Sequence, residues 1–194
     1  MKTISIKSII LFFALQFLVS ISTAQVTVTG STGADGAYTR LGLAFTAING
    51  TAQTGNNIVV TISANSTETA AATLNAGAWT TLKIYPTVTG LTISGNLSTP
   101  LIDLNGADNV TIDGRVNSTG TTKDLIITNT STSSTAGTST IRFINTAENN
   151  IVKYCKIKGA ETNTSSGIIL FSTASAGNGW QWKCKRGTLQ RKTY

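Results

Sequence analysis

The chain has 194 residues and a formal charge of +7, but its charges are unevenly placed. Five basic residues crowd into the last twelve positions, whereas residues 25–179 hold eight basic and eight acidic residues. A neutral body excludes a surface that tracks nucleic-acid phosphates, and a sequence without histidine excludes histidine triads, histidine general bases and histidine metal ligands.

Residues 1–24 have the three parts of a secretory signal peptide. Lys2 and Lys7 give a basic start, residues 9–19 an uncharged apolar run, and residues 22–24 a small-residue cleavage site. The apolar run is shorter than the roughly 20 residues that cross a bilayer. We therefore expect export to the cell surface or medium, with no stable membrane span after cleavage.

The 170 residues that remain are enough for one domain with a core. Their first strand is expected at VTVTG (26–30), where apolar and polar residues alternate. A helix is expected near residues 39–49, with Thr39 as its N-cap and Gly50 just past its end. Its apolar stripe has helical spacing and comprises Leu41, Ala44, Phe45 and Ile48. This helix would cap the apolar end of a stack of strands.

From residue 58 onward, short β-branched segments alternate with turns rich in Gly, Asn, Ser and Thr. No helical pattern separates them, which disfavours a βαβ sheet. The expected strands are 58–63, 70–74, 81–85, 91–94, 101–104, 110–113, 125–128, 140–144, 151–157 and 167–172.

Two passages repeat one plan. LIDLNGADNVTIDG (101–114) and TIRFINTAENNIVKYCKIKG (140–159) both run from an apolar strand through an Asn-containing bend into a second strand, and Asn145 follows Asn105 by forty residues. Recurrence on this scale indicates stacked units that bury their apolar face only against one another.

An antiparallel sandwich and a parallel β-helix both fit these strands. A sandwich favours two-residue hairpins, whereas the connectors here run from about five to fifteen residues. We therefore predict an all-β parallel β-helix (a solenoid), with parallel pairing dominant. The repeat is either about 19 or about 28 residues, since Ile93 and Ile84 both align with Ile112. The residues expected to point inward are Ile102, Leu104, Val110, Ile112, Leu125, Ile127, Ile141, Phe143, Ile157 and Ile169.

Three segments carry a resemblance to a known group: VTVTGSTGADGAYTRLGLAFTAING, LKIYPTVTGLTISG and LIDLNGADNVTIDGR. They resemble secreted right-handed parallel β-helix proteins of the pectin lyase-like superfamily, of the kind found in large surface proteins that gram-negative bacteria export through the type IX secretion system. The resemblance covers residues 25–179 and implies a right-handed β-helix of about three turns. It also implies further turns, adhesive modules and a sorting domain, none of which can be placed here.

The last segment, WQWKCKRGTLQRKTY (180–194), has five cations, no acid and two of the three tryptophans. It is either a genuine basic tail or an out-of-frame or truncated reading of a longer gene. We favour the second interpretation, because a β-helix that stops without a cap leaves an open apolar end. That end, formed by residues 167–172, would allow self-association.

Polysaccharide lyases and hydrolases, the enzymes that the resemblance implies, need clustered carboxylates with a nearby cation. The candidates are Asp103, Asp108, Asp113, Asp124, Arg115 and Lys123. Strand parity turns Asp103 and Asp113 outward, and Asp113 would face Tyr85 or Ser94 on one side and Lys158 on the other. No register places a second carboxylate beside it, so all four aspartates are interpreted as solvated turn acids.

Other candidates also have structural interpretations. Trp79 and Tyr85 could form a sugar platform, but packing under a loop is the better explanation. Cys155 and Cys184 could form a disulfide in an exported chain, yet Cys155 is better explained as a small buried residue. The sequence therefore predicts no catalytic, cofactor-binding or metal-binding residue and no cofactor.

We expect a non-enzymatic extracellular or cell-surface module, acting in adhesion, as a stalk or as a scaffold that contacts extracellular polysaccharide, within a longer protein. The alternative is a polysaccharide lyase or hydrolase whose catalytic part lies beyond this chain.

Overall fold

The computed structural model describes residues 24–172 in full and residues 181–185 and 188–192 by their backbone. The expected signal peptide lies outside the described residues, apart from Ala24. Within the described part of the chain, no helix has the length and apolar character needed to cross a membrane.

The described residues form one α-helix, one short 3-10 helix and sixteen strands. The helices are α1 (Leu41–Asn49) and the 3-10 segment Val116–Ser118. The strands are β1 (Val26–Thr29), β2 (Gly36–Tyr38), β3 (Asn57–Ile62), β4 (Ser66–Glu68), β5 (Ala72–Asn75), β6 (Thr81–Pro86), β7 (Leu91–Gly95), β8 (Pro100–Asn105), β9 (Val110–Asp113), β10 (Leu125–Asn129), β11 (Ser139–Ile144), β12 (Ile151–Lys153), β13 (Cys155–Gly159), β14 (Gly167–Phe171), β15 (Gln181–Lys185) and β16 (Thr188–Lys192).

The strands form three sheets. Sheet I has the order β12-β9-β6-β3-β1-β2, sheet II β13-β10-β7-β4, and sheet III β16-β15-β14-β11-β8-β5. From β3 to β11, every strand pairs in parallel with the strand three places later in the chain. The described residues contain nine parallel and four antiparallel pairings. The predicted all-β class and the dominance of parallel pairing are therefore confirmed.

The register shows which strand lies beside Ile112. Ile112 pairs with Ile84 of β6, 28 residues earlier, and not with Ile93, which lies in sheet II. The spacing is uneven along sheet I, since Leu82 follows its partner Ile58 by 24 residues and Val152 follows Ile112 by 40. The parallel strands stay aligned while the connectors between them vary in length.

The core is built by alternation along each strand. Inward side chains from paired strands form rows across the sheets, because residues that pair in parallel strands face the same side. Examples are Val60–Ile84–Ile112–Val152 in sheet I and Ala72–Ile102–Ile141–Ile169 in sheet III. Eight of the ten residues predicted to point inward are buried, and Ile157 and Ile169 are half-buried but pack against the same core.

Ten expected strands and the strand at 26–29 are present, with ends that shift by a residue or two. Three features differ from expectation. The short strands β2 and β4 lack an apolar run long enough to be recognised, and residues 151–157 form two strands because Tyr154 turns the chain between them. The sequence also predicted no strand within 180–194, where the backbone forms β15 and β16 as an antiparallel pair beside β14.

Helix α1 is where predicted and packs against β5, but its N-cap prediction was wrong. Arg40 occupies the cap position, and neither it nor Thr39 caps the helix with its side chain. The buried carboxylate of Glu68, on β4, accepts the N–H groups of Leu41 at 2.9 Å and Gly42 at 3.0 Å. A carboxylate at this position also favours the positive end of the helix dipole. The sequence does not reveal this cap, because Glu68 lies 27 residues after Leu41 in the chain.

Asparagines link the strand ends of sheet III. The Asn105 amide donates to Asn75 Oδ1 at 2.9 Å, and the Asn145 amide donates to Asn105 Oδ1 at 2.5 Å. Asn49, at the end of α1, accepts the Asn75 N–H at 3.0 Å. The repeated Asn therefore has a structural role: each side chain satisfies polar groups of the neighbouring strand end.

Candidate functional site

A group of charged and aromatic side chains in mutual contact lies where β9 and β12 end, at the edge of sheet I that leads into sheet II. We call it the Asp113 corner and define it by Asp113, Arg115, Lys153 and Tyr154. The β-sheet register brings it together, since Asp113 pairs with Lys153 across parallel strands. Both residues follow an inward partner, Ile112 or Val152, and so they lie on the outer face.

Asp113 is only 2% exposed because Arg115 folds over it. Arg115 Nε donates to Oδ1 at 2.9 Å, its Nη2 donates to Oδ2 at 2.6 Å, and its backbone N–H donates to Oδ1 at 3.2 Å. The Lys153 ammonium lies 3.5 Å from Oδ2. Both carboxylate oxygens are thus engaged by a two-pronged guanidinium contact, the strongest common form of such a pair.

These contacts set the protonation of the pair. The hydrogen bonds from the Arg115 side chain hold the pKa of Asp113 below its ordinary value, and partial burial opposes them less strongly. The same hydrogen bonds raise the pKa of Arg115. Asp113 is therefore a stable anion at neutral pH, which makes it a poor general acid and, because its lone pairs are occupied, a poor general base.

Tyr154 makes the corner unusual. Its φ of 54° lies in the left-handed region, where a bulky side chain is an outlier, and four of the other six non-glycine residues with positive φ are asparagines. The Arg115 guanidinium carbon lies 4.4 Å from the centroid of the Tyr154 ring, in a cation–π contact. The side chain nevertheless keeps 38% of its surface exposed.

Close backbone packing supports this arrangement. Gly114 donates its N–H to the Lys153 carbonyl at 2.9 Å, and a Cβ at Gly114 would lie 2.1 Å from the Tyr154 carbonyl oxygen. Only glycine fits there. The neighbouring Cys155 thiol is free and half-buried, and burial raises its pKa to about 12, with the charge of Asp113 acting in the same direction. The thiol is therefore an inert packing group, as the sequence suggested.

A second outward aspartate is paired in the same manner on sheet III. Asp103 and Arg142 are direct neighbours on β8 and β11. Arg142 Nε donates to Asp103 Oδ1 at 2.9 Å, and its Nη2 donates to Oδ2 at 2.8 Å. The interpretation of Asp103 and Asp113 as solvated turn acids was wrong, since both are strand residues buried under an arginine. Their outward parity was correct, but Lys158 pairs with Thr128 and does not face Asp113.

The remaining candidates are separate from each other or structural. Asp108 lies at a bend and accepts the Glu148 N–H at 2.6 Å, while its carbonyl accepts the Trp79 indole N–H at 2.6 Å. Trp79 is buried, as predicted for packing under a loop. Asp124 is half-buried and Lys123 exposed, in the connector that leads to β10. Tyr85 is half-buried on β6, the strand beside β9.

Sequence reasoning missed three members of the two paired groups: Lys153, Tyr154 and Arg142. Lys153 and Arg142 could be assigned to these groups only once the strand register was known, because each pairs with an aspartate about forty residues away. Among the described residues, no three carboxylate or thiol side chains gather in a group that could hold a metal ion. The geometry of the two paired groups supports charge neutralisation and display of an aromatic ring, and it places neither Asp103 nor Asp113 for acid–base catalysis.

Comparisons with family models, with curated proteins and with solved structures give no match to this chain.

Proposed function

We propose that the chain is a right-handed parallel β-helix module that works outside the cell as a non-enzymatic scaffold, in adhesion or in contact with extracellular polysaccharide. The fold part of the proposal is supported by the strand order, in which each of nine consecutive strands pairs in parallel with the third strand after it. Three successive strands, one in each sheet, would make one coil of the β-helix. Helix α1 lies against the first coil, at β5.

The observation that carries the non-enzymatic part is the pairing of the outward acids. In the described coils the two aspartates on outer strand faces, Asp103 and Asp113, are each held by a two-pronged arginine contact. Each contact engages both oxygens of its carboxylate, so neither aspartate is placed to take or give a proton. A stack of coils whose outward aspartates are neutralised suits a rigid spacer or binding surface better than a hydrolytic site.

The test is an assay of chain cleavage. The exported chain is incubated with polygalacturonate and with neutral β-linked glucans, in calcium and in chelator, and new reducing ends and unsaturated products are measured. We expect no increase over a heat-unfolded sample. Calcium-dependent cleavage that disappears in Asp113→Asn or Asp103→Asn, with folding verified by circular dichroism, would overturn the scaffold proposal, because it would place a polysaccharide lyase activity within this chain itself.

A further inference from the structure

We infer that the Asp113 corner, together with the adjoining lysines of sheet II, is a binding site for an anionic polysaccharide, with Tyr154 as the surface on which a sugar ring stacks. This inference rests on the proposed function and assigns its contact surface. Two independent observations support it: a strained, exposed aromatic residue, and a local excess of unpaired positive charge.

The backbone strain at Tyr154 indicates that the fold does not require a tyrosine at this position. The chain turns from β12 in sheet I into β13 in sheet II through one residue in the left-handed region, a conformation that glycine or asparagine adopts at less cost. Strain of this kind persists only where the surrounding structure holds it in place, and it clusters at functional sites. Here the ring rests on Arg115 and leaves more than a third of its surface in solvent.

The positive charge surrounds that ring. Lys156 and Lys158 are exposed on the outer face of β13, and the described residues provide no acid within ion-pair distance of either. Lys153 has 41% of its side chain exposed, and Asp113, the one acid among the described residues within ion-pair distance of it, is already held by Arg115. The pairing of Leu125 with Cys155 brings Lys123 and Asp124 to the same corner.

The corner and β13 together gather five of the eight cations of residues 25–179 against three of their eight acids, since the carboxylate of Glu161 lies beside Gly159 at the end of β13. A local excess of two positive charges on a neutral body attracts an anionic partner to this place and not to the whole surface. Outer positions of the neighbouring strands add hydroxyl groups, since Lys158 continues a row formed by Thr67, Ser94 and Thr128.

These groups match the chemistry of an acidic sugar chain. A pyranose ring presents C–H groups that can lie on the exposed part of the tyrosine ring, which is an apolar surface with a polar tip. Carboxylate or sulfate groups on the same chain can reach the lysine ammonium groups, and hydroxyl groups can bond to the threonine and serine row. A neutral polysaccharide would use the ring alone and bind more weakly.

The test measures binding of the full exported chain to polygalacturonate, to chondroitin sulfate, to neutral dextran and to single-stranded DNA, by biolayer interferometry at physiological salt. We expect both acidic polysaccharides to bind more tightly than dextran or DNA, and their ratio identifies the preferred anionic group. Tyr154→Asn, which relieves the strain, should weaken binding about tenfold while keeping or raising the melting temperature. Lys156→Gln should weaken it about threefold.

Lys83→Gln is the matched control, because Lys83 is an exposed lysine two strands from β12 on sheet I. It removes the same charge and should leave the affinity unchanged. The inference would be overturned if Lys83→Gln and Lys156→Gln lost the same affinity, or if Tyr154→Asn bound as tightly as the parent. It would also be overturned if DNA bound as tightly as the acidic polysaccharides, or if no polysaccharide bound at all. None of these results involves cleavage, so the scaffold proposal would stand or fall separately.

Discussion

Asp103 and Arg142 lie 39 residues apart in the chain and face each other on adjacent parallel strands, joined by two hydrogen bonds of 2.9 and 2.8 Å. Their side chains are only 7% and 11% exposed. A pair so placed links β8 to β11 from outside the core. It is also vulnerable, because removing one partner leaves a buried charge without compensation.

Arg142→Ala should therefore lower the free energy of unfolding by about 3 kcal/mol. The double variant Asp103→Thr with Arg142→Thr removes both charges. It also gives three outward threonines in one row across β5, β8 and β11, because Thr73 pairs with position 103 and position 103 pairs with position 142. It should recover most of the loss, since threonine suits a strand face. Urea unfolding of the parent, of Arg142→Ala and of the double variant measures the free energy of unfolding of each. Equal losses of stability in the single and double variants would show that the unpaired charge of Asp103 is not the cause.

Through Asp113, the free energy of unfolding should depend on pH in the acidic range. The folded pKa of Asp113 lies below its ordinary value of 3.8, so this carboxylate contributes its full stabilisation above pH 4 or so and loses it as the pH falls through the folded pKa. Asp113→Asn should accordingly be less stable than the parent at neutral pH, and the difference should shrink below about pH 4. Melting temperatures across pH 2 to pH 7 measure it, and a constant difference over that range would contradict the assignment.

Glu68 should control whether α1 stays folded against β5. Glu68→Ala removes the acceptor of the Gly42 N–H and leaves the Leu41 N–H only the longer contact to Ser66 Oγ at 3.4 Å, which should cost about 2 kcal/mol. Hydrogen exchange should then accelerate first in α1. Thr67→Ala, a change at the exposed neighbour on the same strand, is the control and should stay within about 0.5 kcal/mol of the parent.

Sequence periodicity recovers much of this fold because strand alternation is a local property. Ile112 could be assigned to the interior from its own strand, and eight of ten such assignments correspond to buried residues. The register is a non-local property, so neither the 28-residue step to Ile84 nor the pairing of Asp113 with Lys153 could be read from spacing alone. Connectors of unequal length hide the repeat from any fixed period.

The site was harder to predict than the fold for the same reason. Asp113 and Arg115 are two residues apart and were both candidates, but their burial depends on the guanidinium folding back over the carboxylate. Tyr154 lies inside the segment 151–157 that was expected to be one strand, and nothing in that segment signals a left-handed corner. Aromatic residues so rarely take this conformation that pattern reasoning excludes it.

Cys155 provides a check on the packing behind the corner. With its pKa raised from 9.0 to about 12, the thiolate fraction near neutral pH falls roughly a thousandfold. In a Cys184→Ser background, where Cys155 is the one remaining thiol of the sequence, a disulfide reagent should label the native chain very slowly and the urea-unfolded chain within seconds. Fast labelling of the native chain would mean that β13 opens at its edge of sheet II.

Ile112 gives the sharpest test of the stacked core. It is 1% exposed and lies between Ile84 and Val152 in one row of sheet I. Ile112→Asp would place a carboxylate there without a partner, so we expect a loss of several kcal/mol, enough to unfold a domain of this size. Thr111→Asp is the matched control, because the adjacent residue faces outward between Lys83 and Ile151. It should fold normally and change stability by about 0.5 kcal/mol or less. If instead the two variants unfold at the same urea concentration, alternation along β9 does not separate core from surface, and the parallel stacking of β6, β9 and β12 is wrong.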